Sequence, residues 1–182
     1  MTALTEWQNF YVIVGSAAGA LIGLQFVVMA LLANIQNAHP NEEAGSAFAT
    51  PNIVHFGTVL LLAGIATAPW PALSTGLSLW IGVGTIGVLY SLFVTRRMGK
   101  QNRYKPEFED WLCYSVLPLV AYAGLVASGC AGFSFTGKAP YGIAAAVMLL
   151  LFTGIHNAWD SASYHVFTQK RREGKPDSTA KS

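Results

Sequence analysis

The sequence predicts an all-α, polytopic integral membrane bundle of five transmembrane helices, with its N-terminus outside and its C-terminus inside. Three observations carry this. Of 182 residues, 53 % are apolar and only 11 % are charged, against about 25 % charged in soluble domains. Residues 44–95 hold no Asp, Glu, Lys or Arg at all, which no ordinary soluble surface tolerates. Five apolar runs, about 9–33, 52–70, 76–95, 111–132 and 139–159, approach the roughly 20 residues that a helix needs to cross a bilayer. They make one domain over 1–163, followed by a basic tail over 164–182.

The first run opens after MTALTEW, where Glu6 stands in place of a basic n-region, and it is longer than a signal-peptide core. It is therefore expected to be retained. Within VGSAAGALIGLQFVV, Gly15, Gly19 and Gly23 recur at four-residue spacing and form one smooth groove. Lipid tails are as apolar as leucine, so membrane helices associate by close packing of small residues, and the groove is expected to be a packing face within the chain. Gln25 points away from it, on the side of Ala18, and is expected to hydrogen-bond to a neighbouring helix.

Pro51, Pro106 and Pro140 stand where the second, fourth and fifth segments could begin, since proline is tolerated at the first helical position. Glu107, Glu109 and Asp110 then fall in the first turn of the fourth helix, where acids favour the helix dipole. That helix repeats the small-residue device at Gly124, Ser128 and Gly132. Pro118 lacks an N–H and is expected to free the carbonyl of Tyr114. Cys113 and Cys130 share this segment, about 25 Å apart along a helix, so no disulfide joins them. No repeat period of 20 to 50 residues is visible.

Orientation follows from the basic residues. Arg96, Arg97, Lys100, Arg103 and Lys105 form one cluster and Lys170, Arg171, Arg172, Lys175 and Lys181 a second, leaving only Lys138 apart. Five helices put both clusters on one side, which the positive-inside rule makes cytoplasmic. A four-helix alternative, with 52–70 re-entrant, needs the N-terminus inside. Trp7, Trp70 and Trp80 fall near outer ends and Trp111 and Trp159 near inner ends, as interfacial anchors would. QKRREGKPDSTAKS has no apolar face and reads as a mobile tail.

The densest polar chemistry is in FTGIHNAWDSASYH, where His156 and Asp160 are i and i+4 on one face, beside Asn157. His55, Gln25, Tyr90, Ser91, Tyr114 and Ser115 fall at a similar depth in the other helices. The polar band is therefore Gln25, His55, Tyr114, His156, Asn157 and Asp160, either a structural network or a binding site. His55, His156 and Asp160 are ligand types that zinc uses, yet HExxH, phosphate loops, dinucleotide fingerprints and CxxC pairs are absent. No cofactor is expected.

The run GALIGLQFVVMALL resembles the first helix of small, mostly uncharacterised bacterial multi-pass membrane proteins. The resemblance covers one helix and implies the bacterial inner membrane. The function expected is non-enzymatic: binding or regulating other membrane components. A small oligomeric transporter or channel using His55, His156 and Asp160 is the second reading, and a membrane metallohydrolase the third. The lipid bilayer is the first partner, beside a membrane-protein partner or further copies of the chain. A net charge of +2 gives no reason to expect nucleic acid.

Overall fold

The computed structural model describes residues 5–38, 45–100 and 108–173. Among them helices are the only regular elements, joined by turns over 68–72 and 133–138. A short 3₁₀ turn, Thr5–Trp7, leads into α1, Gln8–Ala38, followed by α2, Gly45–Thr67, and α3, Leu73–Lys100. Then α4, Phe108–Trp111, runs without a break through a π-helical turn, Leu112–Val116, into α5, Leu117–Gly132. The last helix, α6, is Ala139–Glu173. Four helical stretches are long and apolar enough to cross a membrane: Gln8–Leu31, Leu73–Gly99, Leu112–Gly132 and Ala139–Ser163. The described part of α2, Asn52–Thr67, is a shorter apolar helix.

Several boundaries move from the sequence reading, for local reasons. The second helix begins at Gly45 rather than beside Pro51, which lies in its interior, and stops at Thr67. Pro69 and Pro71 then prevent continuation. Pro140 is the second residue of α6, as expected, whereas Pro106 lies outside the described residues. The first ten residues of the basic tail, 164–173, remain helical to Glu173, and they end in Gln, Lys, Arg and Glu, which are good helix formers.

Packing sets the neighbours. α1 packs on α2, α2 on α6, α6 on α5 and α5 on α3, while a lighter α2–α3 contact closes a four-helix ring with α1 outside it. The core is apolar and is centred on Phe56, Val59, Leu62, Trp80, Leu125, Ile143, Val147 and Leu150. The buried face of α1 is Tyr11, Val14, Gly15, Ala18 and Gln25, so Ala18 and Gln25 face the bundle as a pair.

The glycine groove is only partly a packing face. A Cβ on Gly15 would meet Ala63 Cβ of α2 at 2.8 Å, but one on Gly19 or Gly23 meets nothing within 4 Å. Each four-residue step advances about 40° around the helix, so the stripe turns away from the bundle after its first member, while Ala18 and Gln25 stay on the buried face. On α5, Gly124 is equally open, Ser128 faces Gly142, and Gly132 packs on Leu77 and Ala139. The tightest approach is elsewhere, at Gly87 of α3 against Tyr122, and Gly84 against Val126 and Gly154 of α6 against Phe56 are further close contacts.

Trp80 also departs from expectation. It lies at the depth of an interfacial anchor but turns inward, fully buried, with its ring stacked on Tyr11 at 6.4 Å and its Nε1–H donating to the Leu62 carbonyl at 3.5 Å. Trp7 packs edge-on against Phe10 and Tyr141 at the same end.

Candidate functional site

Depth can be compared across helices because neighbouring helices run antiparallel and their contacts fix the register. Thr95 of α3 meets Ser115, the two hydroxyls 2.6 Å apart, and Asn157 of α6 meets Cys113, its Nδ2 3.2 Å from that carbonyl. Arg96 and Arg97 therefore lie at the depth of His156 and Asn157, at the charged end of the bundle. On the other side, Gly15 opposite Ala63 carries Gln25 to the depth of Asn52, since each lies about 15 Å further along its helix. Phe56 opposite Gly154 brings Asn52 level with Ala158. The six polar residues therefore lie near one level at one end of the bundle, but they divide into two sets.

The first set is interior. Gln25, His55, Tyr114 and Asn157 are all buried. The His55 Nδ1 lies 3.0 Å from the Tyr122 hydroxyl, the Tyr122 hydroxyl donates to Thr58 Oγ1 at 3.3 Å, and Thr58 donates to the Val54 carbonyl at 2.8 Å. Because the Thr58 proton is committed to Val54, Thr58 must accept from Tyr122, which in turn must accept from His55. The chain of donors therefore assigns the proton to His55 Nδ1.

Asn157 repairs a backbone defect. In the π-helical turn the Leu117 N–H reaches the Leu112 carbonyl five residues back, so the next bond in that register would run from residue 118 to Cys113. Pro118 has no N–H to make it. Asn157 Nδ2 donates to that carbonyl instead. The carbonyl that proline leaves open is thus that of Cys113, one residue before the Tyr114 carbonyl expected from α-helical spacing, because the π turn shifts the register. The Tyr114 hydroxyl donates to the Asn157 carbonyl at 3.3 Å, and Ser161 donates to the same carbonyl at 2.9 Å.

Some interior atoms have no hydrogen-bond partner: both amide atoms of Asn52, Oδ1 of Asn157, Oγ of Ser91 and the Tyr11 hydroxyl. Tyr122, Thr58 and Asn52 were not singled out from sequence, though a signal existed. A tyrosine in mid-segment needs a partner for its hydroxyl, and Asn52 stands one turn before His55.

The second set is exterior. His156 and Asp160 are exposed on the outer face of α6, either side of Trp159, which is 75 % exposed. They share a face, as the i and i+4 spacing predicted, but it is not the face of His55. His55, His156 and Asp160 therefore do not converge, and among the described residues no three His, Cys, Asp or Glu side chains group as metal ligands. His39 lies outside the described residues.

No protein-family model, curated protein or solved structure matches this chain. The functional reading therefore rests on the residues themselves. His55, Tyr114 and Asn157 of the interior set bond across helices, so they hold α2, α5 with its π turn, and α6 together. The exterior pair, among the described residues, is bonded to nothing.

Proposed function

We propose that this chain is a non-enzymatic, five-helix protein of the bacterial inner membrane, N-terminus out and C-terminus in, which binds another membrane component through the outer face of α6 at the cytoplasmic end. The carrying observation is the exposed His156 and Asp160 flanking an exposed Trp159. Ionisable side chains in membrane segments usually turn toward the bundle interior or a partner, and these two turn outward. Crossing by α2 is supported by its length, since 23 uninterrupted helical residues span about 34 Å. The orientation is supported by Arg96 and Arg97 lying at the same end as the basic start of the tail.

The test uses a photo-crosslinking amino acid at Trp159 in native membranes. A discrete protein adduct is expected there and is expected to disappear with Asp160→Asn, while the melting temperature stays unchanged because the side chain is exposed. Capture of lipid alone would overturn the binding reading.

The second reading, transport of protons or ions, is favoured by the donor chain from His55 through Tyr122 to Thr58. Among the described residues, the core beyond it packs apolar side chains from Val59 to Ile143. Purified protein in liposomes is accordingly expected to pass no protons. A flux abolished by His55→Ala would move the function to transport.

A further inference from the structure

The face of α6 that looks outward has a counterpart on the same molecule. Arg96 and Arg97 are both exposed, at the end of an α3 surface that also exposes Leu89, Leu92 and Phe93. α3 and α6 are separated by α5 and run parallel, so their outer faces look in different directions from the bundle. The contacts Thr95–Ser115 and Cys113–Asn157 put Arg96 and Arg97 level with His156 and Asn157, within about one helical turn of Asp160.

We propose that the partner of the α6 face is a second copy of this chain, whose α3 face it meets, with Asp160 of one copy paired to Arg96 and Arg97 of the next. This rests on the binding reading above and names its occupant. Three features fit. The charges are opposite, which fixes register and suppresses wrong partners. They lie at nearly one depth, so two copies with the same orientation in the membrane meet without sliding past one another. Each face is apolar beyond its charges, with Phe152 and Ile155 on α6 facing the surface of Leu89 and Phe93 on α3. Because the two faces are different, the contact is head-to-tail, and repetition about an axis normal to the membrane closes a ring when the rotation per copy divides a full turn.

The test combines charge reversal with a cysteine pair in the full-length chain, extracted with its surrounding lipid and sized by native mass spectrometry. The unaltered chain is expected as an oligomer. Asp160→Arg alone, or Arg96→Asp with Arg97→Asp, is expected to reduce the oligomer fraction at least about tenfold by setting like charges together. Combining all three changes restores opposite charges at every interface and is expected to restore the oligomer.

Separately, Asp160→Cys with Arg97→Cys is expected to give covalent dimers and higher multiples on oxidation, beyond those of either single variant. Each variant is checked for an unchanged melting temperature, and Asp160→Asn serves where a reversal fails to fold. A monomeric unaltered chain, oligomers indifferent to the reversals, or no rescue by the combination would each overturn the proposal. If those fail while the Trp159 crosslinker captures a protein of different mass, the binding reading stands and only the second copy is wrong.

Discussion

Gly87→Val is expected to destabilise the bundle by about 3 kcal/mol or more, at the upper end of the cost of overpacking a close contact. A Cβ on Gly87 would fall among the Tyr122 ring atoms Cγ, Cδ1 and Cε1. The ring cannot swing away freely, because its hydroxyl is tied to His55 and Thr58 of α2. The backbones of α3 and α5 would have to part, and three turns of contact, from Gly84 against Val126 to Thr95 against Ser115, would loosen together. Gly19→Leu is the control. A Cβ at that position meets nothing within 4 Å, and the effect is expected to stay within about 0.5 kcal/mol. Melting of both variants in detergent checks this, and equal losses would show that the α3–α5 approach is not what holds the bundle.

The second large effect is expected at Asn157. Asn157→Leu keeps the volume but removes the donor from the Cys113 carbonyl, which Pro118 cannot satisfy. Losing this charge-neutral bond to a buried carbonyl costs about 1–2 kcal/mol, and no water inside a bilayer core offers a substitute. Asn52→Leu should behave in the opposite way. Its amide is fully buried with both polar atoms unpartnered, so replacing it discards desolvated groups without breaking a bond, and the melting temperature is expected to hold or rise. Two buried asparagines at neighbouring depths thus receive opposite predictions. A loss of stability at Asn52 equal to that at Asn157 would mean that both amides are engaged.

The shared level of these polar residues along the bundle was legible from sequence. Segment limits and antiparallel order place Gln25, His55, Tyr114 and Asn157 at one end of their helices, and the structure finds them there, all buried. The relation of His156 to Asp160 was equally legible, because i and i+4 share a face in any helix. Their exclusion from the interior was not. Asn157 is next to His156 in sequence, yet one is buried and the other exposed, a rotation of about 100° that decides between scaffold and surface. Nor could spacing alone reveal the π turn, which moved the orphaned carbonyl from Tyr114 to Cys113 and gave Asn157 its role.

The sequence by itself determined the helical class, the apolar segments and the end of the bundle where charge collects, because these depend on length, composition and order along the chain. Only the tertiary structure decided which face of each helix is inside. In a soluble protein the apolar stripe of a helix announces its buried side, but lipid is as apolar as a core, so Ile86 and Phe93 look outward while Leu62 and Leu150 look inward with no change of residue chemistry. Burial was therefore settled by shape: Gly87 accepts the Tyr122 ring and Gly154 accepts Phe56, whereas Gly19 and Gly23, identical in kind, meet no neighbour.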